Sequence, residues 1–197
     1  LLRLHKCNVK CCTNLLEMIT ISVCMIVKDE EAVLKRCLSC VKQFADEIII
    51  VDTGSMDSTK EIAKRYTEKI YDYVWNDNFS EARNFSFSKA NMDYIFWLDA
   101  DDVINKEDCE NILCLKKELH RDVDAVMMKY VVSVDENNHP LSYFYRERMV
   151  KRECNFNWIG IVHECLNING NIVYSPIKIF HDPKKKKDAL RNLSLYE

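Results

Sequence analysis

Glycine and proline are scarce here, at three residues each in 197. That leaves no room for long flexible linkers. It also leaves no glycine-rich phosphate loop, which argues against a phosphotransferase of the P-loop kind. No apolar run approaches the roughly 20 residues that a membrane helix needs. The first residues, Leu1-Leu2-Arg3-Leu4-His5-Lys6-Cys7, lack the continuous apolar core and small-residue cleavage site of a signal peptide. The net charge is only −3, so nothing draws the chain to nucleic acid in general. Hydrophobic residues at 48% and charged residues at 30% fit a globular domain, and the length fits one such domain with a good core.

Cysteine is the exception to this economy, with ten residues. Most sit within apolar periodic patterns, where a free thiol behaves as a small hydrophobe. That usage points to a reducing cytoplasm rather than a disulfide framework. Cys7, Cys11 and Cys12 lack the paired spacing of a zinc site.

Four strand–helix units follow one another. Ile19 to Val27 reads as a buried strand, with a helix from about Glu31 to Phe44. Glu47 to Val51 leads to a helix ending near Tyr66, capped by Ser55 or Asp57. Lys69 to Trp75 precedes a helix over 81–90. Tyr94-Ile95-Phe96-Trp97-Leu98 precedes a helix over 106–120. Right-handed crossovers then give a mainly parallel sheet flanked by helices. Beyond residue 120 the rhythm changes to strands: 124–134, 143–151, 172–174 and 177–180, an added antiparallel portion. Residues 1–18 form a leader with no readable pattern, 19–183 the folded domain, and 184–197 a basic, helical tail.

The chemistry is concentrated at strand ends. Asp29 and Glu30, then Asp52, then Asp99, Asp101 and Asp102 each stop an apolar run. A doubly wound sheet brings such ends to one edge, where ligands bind. Asp99 and Asp101 stand two apart, so extended backbone puts them on one side, and their repulsion invites a divalent cation carrying phosphate. An isolated D-x-D is also what a solvated turn looks like, and a lone Asp at a helix start is usually a cap. Three ends with one bias favour a site.

Four segments in order carry a resemblance: Met25-Ile26-Val27-Lys28-Asp29-Glu30-Glu31, Val51-Asp52-Thr53-Gly54-Ser55-Met56-Asp57-Ser58-Thr59, Asp77-Asn78-Phe79-Ser80-Glu81-Ala82-Arg83-Asn84, and Trp97-Leu98-Asp99-Ala100-Asp101-Asp102. Over roughly Ile19 to His181 the chain resembles GT-A fold, family 2 glycosyltransferases. The likeness is to the bacterial branch of β-glucosyltransferase-like proteins and peptide S-glycosyltransferases, often followed by helical repeats; the basic tail fits the start of such an extension.

The resemblance implies a metal-dependent, inverting transfer of a hexose from a UDP-sugar to a saccharide, lipid-linked or peptide acceptor. It implies nucleotide-sugar contacts by Lys28, Asp29, Glu30, Asp52, Gly54, Arg83 and Asp99, with Trp158 stacking on a sugar. Asp101, Asp99 and His181 would hold Mn²⁺ or Mg²⁺, and Glu164, or second Asp102, would be the base. Many relatives read Asp-Ala-Asp-Glu where this chain has Asp102. The alternative is a nucleotide-sugar-binding module that no longer transfers. Lys184 to Lys187 would suit an anionic lipid or membrane surface, or are simply solvated.

Overall fold

The computed structural model describes residues 18–137 and 139–182. The leader other than Met18, the tail with its four lysines, and Cys7, Cys11 and Cys12 lie outside the described residues. Among the described residues no helix is long and apolar enough to cross a membrane.

The chain runs β1 (Ile21–Val27), α1 (Leu34–Val41), β2 (Glu47–Asp52), α2 (Thr59–Ala63), β3 (Ile70–Asp72), α3 (Phe79–Phe87), β4 (Tyr94–Trp97), β5 (Asp102–Val103), α4 (Lys106–Glu118), β6 (Ala125–Val134) and β7 (Pro140–Lys151). Short strands β8 (Trp158–Ile159) and β9 (Cys165–Leu166) then form a separate pair, and β10 (Ile172–His181) ends the described chain. The eight-stranded sheet has the order β3-β2-β1-β4-β7-β6-β10-β5. β1 to β4 pair in parallel, β7 is antiparallel to both neighbours, and β10 lies parallel to β6. The expected α/β architecture is therefore present, with the antiparallel part inserted into the sheet.

Patterning explains the layers. α1 buries Leu34, Cys37, Leu38 and Val41, spaced three and four apart, and packs with α4 over one sheet face. On the other face α3 and the β8–β9 pair cover Ile49, Val51 and Trp97, with Phe87 and Trp158 in the same cluster. β1 is buried almost throughout and β2 wholly so, as central strands with covered faces must be.

Some bounds differ from expectation for local reasons. α1 starts at Leu34, because Glu31 is taken by the neighbouring loop: its Oε2 accepts from the Ser58 amide at 3.0 Å. α3 starts at Phe79 rather than at 81 because Asn78 caps it, accepting from the Glu81 amide at 3.2 Å while its own side-chain amide reaches Glu81 Oε1 at 2.9 Å. The two expected strands near the end are one strand, with a register shift between Tyr174 and Lys178 where Pro176 offers no amide hydrogen.

The edge away from the strand ends is held by polar pairs. Glu47 is 5% exposed and accepts from Lys69, the Ser22 hydroxyl, and the Asn91 amide and side chain. Burial pushes its carboxyl up, but these hydrogen bonds outweigh burial and hold it at about 2. The folded value lies below the unfolded one, so its stabilisation is complete above about pH 4.5 and is lost as pH falls toward 2. Glu47→Gln is expected to cost up to about 3.5 kcal/mol at pH 7, at about 1.4 kcal/mol per pH unit between 4.5 and about 2. It should also flatten the acid limb in that window, as read by urea unfolding at stepped pH.

Candidate active site

Strand register sets the rim. Val27 lies beside Asp52, and Cys24 beside Trp97, so β2, β1 and β4 end side by side. The first two ends are knitted together. Asp29 has φ +54°, its amide donates to Ser55 Oγ at 2.9 Å, and its Oδ1 accepts from the Met56 amide at 2.7 Å. The Glu30 amide donates to Thr59 Oγ1 at 2.7 Å and the Glu31 amide to Asp57 Oδ2 at 3.1 Å. Asp52 is 2% exposed; its Oδ2 accepts from the amides of Gly54 and Ser55 at 3.1 and 3.0 Å, a turn that Gly54 permits at φ +101°. Its Oδ1 is buried with no hydrogen-bond partner, an acceptor lacking a donor. Lys28 is exposed beside this loop.

The acidic turn after β4 is built on buried cations. Asp102 Oδ2 accepts from the Asp99 amide at 3.0 Å and from Arg148 Nη1 at 2.9 Å. Arg148, on β7, is fully buried, with its guanidinium carbon 3.8 Å from the Trp97 ring centre and 4.4 Å from that of Tyr130. Burial pushes the Asp102 carboxyl up to about 6 against the pull of Arg148, and the nearby Asp99 charge adds to the rise. β5 then pairs antiparallel with the end of β10, Asp102 opposite His181. That pairing carries a residue from the far end of the fold to the turn: His181 Nδ1 lies 3.6 Å from Asp101 Oδ2. One ligand atom each from Asp101, Asp102 and His181 lies within 4.8 Å of the others. Two carboxylates and an imidazole are a donor set that Mn²⁺ accepts and Mg²⁺ tolerates.

α3 latches the segment between β8 and β9 to this turn. Asn84 clasps the Trp158 backbone at 2.8 and 3.0 Å, the Phe79 amide donates to Ile161 O at 3.0 Å, and Ser80 Oγ donates to Gly160 O. Arg83 is 7% exposed; its Nη2 donates to Asp99 Oδ1 at 2.8 Å and its Nε to Glu164 Oε1 at 2.9 Å. Its guanidinium carbon lies 4.9 Å from the ring centres of both Trp97 and Trp158.

The residues singled out in the sequence therefore gather at one end of the sheet, and three of them have partners that the sequence did not name. Arg83 is engaged by two carboxylates. Trp158, at 2% exposure, packs on Arg83 and edge-on against Trp97 and Phe87, and has no open face for a sugar. Asp102 lies under the turn, and it, rather than Asp99, stands within donor distance of Asp101 and His181, because Arg83 draws Asp99. Arg148 escaped the sequence reading: a cation in a strand reads as a solvent-facing position, and only the paired acid forty-six residues away reveals otherwise.

Arg148→Met is expected to cost about 3–5 kcal/mol, because it strands a buried carboxylate. Arg36→Met, which removes a half-exposed partner of Asp182, is expected to cost about 1 kcal/mol or less. Chemical denaturation of both variants checks the contrast.

Comparison with known proteins accords with this arrangement. The profile described as Glycosyl transferase family 2 matches residues 22–170. The SPbeta prophage-derived glycosyltransferase SunS of Bacillus subtilis is 30% identical over 191 residues, covering 90% of this chain and 44% of that protein. A TPR repeat-containing protein of Synechococcus elongatus is 47% identical over 85 residues, 43% of this chain and 21% of that one. The chain thus spans less than half the length of these curated relatives. Among solved structures, S. aureus TarS 1-349 in complex with UDP-GlcNAc aligns with TM-score 0.62 at 16% identity, over 86% of this chain and 60% of that chain. Glucosyl-3-phosphoglycerate synthase from Mycobacterium tuberculosis, in complex with Mn²⁺, UDP and glucosyl-3-phosphoglycerate, aligns with TM-score 0.50 at 18% identity, over 68% and 57%. At such identities the likeness is one of fold, but the family profile covers most of the sequence, and the chain belongs to glycosyl transferase family 2.

Proposed function

We propose that residues 19–183 form the catalytic domain of a metal-dependent, inverting glycosyltransferase. It moves a hexose from a UDP-sugar to a saccharide, lipid-linked or peptide acceptor. The observation that carries this reading is the donor cluster of Asp101, Asp102 and His181, standing on the rim where Asp52 keeps a buried acceptor oxygen without a donor. TarS and the synthase, whose complexes hold UDP-GlcNAc and UDP with Mn²⁺ respectively, add support for the donor class.

The roles divide along the rim. Asp52 Oδ1 and Glu30 accept from the imide and ribose hydroxyls of the nucleotide, with Lys28 beside the charge and Asp29 and Gly54 holding the loop open. Asp101 and His181 hold the cation, with Asp99 and Asp102 adjoining. Bound there, Mn²⁺ or Mg²⁺ supplies positive charge against the diphosphate leaving group. Glu164 takes the acceptor proton, and the hydrogen bond from Arg83 Nε aims its carboxylate. Trp158 stiffens Arg83.

A second reading, a nucleotide-sugar-binding module without transfer, draws on the engagement of Glu164 by Arg83, which leaves its side chain 13% exposed. UDP with Mn²⁺ is expected to raise the melting temperature, and Asp101→Asn to abolish that rise. Glu164→Gln should keep the rise and lower sugar transfer or hydrolysis by about 10²- to 10⁴-fold. A hydrolysis screen of UDP-glucose, UDP-galactose, UDP-N-acetylglucosamine and GDP-mannose with Mn²⁺ provides the assay. A shift with UDP but no turnover of any donor selects the binding module. No shift with UDP, and an equal one with NAD, overturns both.

A further inference from the structure

One feature of the fold lies outside this chemistry. α1 and α4 pack side by side, and each brings a thiol to their seam: Cys40 and Cys109. The Cys109 side chain lies against the Cys40 backbone across that seam. Cys109 is fully buried, and its Sγ also lies 3.9 Å from the carbonyl oxygens of both Cys40 and Ile104. Cys40 is half-buried, so small reagents reach it while Cys109 stays behind it. One helical turn earlier, Cys37 Sγ points at the Asp99 carbonyl, 3.7 Å away, inside the acidic turn.

We propose that Cys40 and Cys109 form a reversible disulfide, a redox modification site that ties α1 to the helix following the acidic turn. Cys40 is the attacking thiolate. Its hydrogen bond from Cys109 lowers its pKa to about 6, outweighing burial, and the Ile104 backbone and Arg36 lower it further. The same hydrogen bond, with burial, pushes the Cys109 thiol up. That division is the pattern of a nucleophilic and a resolving cysteine. With a peroxide, the Cys40 sulfur breaks the O–O bond and becomes a sulfenic acid. The Cys109 sulfur then displaces the sulfenic oxygen, which leaves as water. Overall two thiols and one hydrogen peroxide give one disulfide and two waters. With a low-molecular-weight disulfide, two thiols of that compound are released instead.

The test uses the full chain, treated with hydrogen peroxide or oxidised glutathione, then alkylated and digested without reductant. The expected product is a Cys40–Cys109 peptide about 2 Da lighter than the two separate peptides. It should be accompanied by a melting temperature raised by roughly 5 °C or more and restored by dithiothreitol. In the untreated protein at pH 7, iodoacetamide should label Cys40 at least tenfold faster than the exposed Cys165. Cys109→Ser, which tests the resolving role without emptying the seam, should leave Cys40 sulfenic or mixed-disulfide and remove the thermal shift. Linkage of Cys40 to any other cysteine overturns the proposal. So does an unlinked Cys40–Cys109 pair after oxidation of the wild type, or a Cys40 no faster than Cys165.

Discussion

Repulsion between carboxylates crowded on one rim is the constraint that shapes this fold. Asp52, Asp99, Asp101, Asp102 and Glu164 all lie at one end of the sheet, and like charges so placed raise one another's cost of ionisation. Two buried arginines answer it from below. Arg83 comes from α3 and holds Asp99 and Glu164; Arg148 comes from β7 and holds Asp102. Each cation packs on two aromatic rings, Trp97 and Trp158 for one, Trp97 and Tyr130 for the other. Trp97 is thus in contact with both guanidinium groups, and its own indole Nε1 donates to Glu147 O at 2.6 Å, which fixes the ring they share. The third acid of the turn, Asp101, lies beside His181 instead.

The two halves of the rim are assembled by different means. The half beside β1 and β2 is local: the loops after these strands exchange hydrogen bonds between neighbours in a parallel pair, within thirty residues of one another. The half beside β4 is assembled over long range. α3 reaches the segment between β8 and β9 some eighty residues on, and β10 returns beside β5 to deliver His181. The inserted antiparallel strands are what make that return feasible, since β7 carries Arg148 under the turn and β6 seats β10 next to it.

What the sequence made legible follows the same division. The parallel half could be read because each strand is a short apolar run closed by acids and each helix keeps its three-and-four spacing. The motif from Asp77 to Asn84 was visible as a pattern, yet its function as a latch was not. Ser80, Arg83 and Asn84 find partners at Gly160, Glu164 and Trp158, and no local signal names such distant partners. The two-residue strand β5 has no period to detect, and Arg148 carries no mark separating it from Arg146 two positions earlier, which remains partly exposed. Trp158 misled for the opposite reason: an aromatic near a sugar site suggests stacking on the sugar, while packing placed it against three neighbours in the interior.

The pair Asp102–Arg148 shows why stability alone does not explain such an interior. A buried ion pair commonly gains little over apolar residues of similar volume, since desolvation of each ion costs several kcal/mol. Asp102 and Arg148 are both essentially unexposed, and one Asp102 oxygen has no hydrogen-bond partner, so this pair is not an optimised one. An apolar pair would fill the space but could not accept the Asp99 amide or donate to the Trp97 carbonyl at 3.3 Å. Those two hydrogen bonds fix the backbone on both sides of Leu98, and with it the direction in which Asp99 and Asp101 leave the strand. The cost of burying the charges is offset by orientation: the turn cannot relax its crowded carboxylates outward without breaking both contacts.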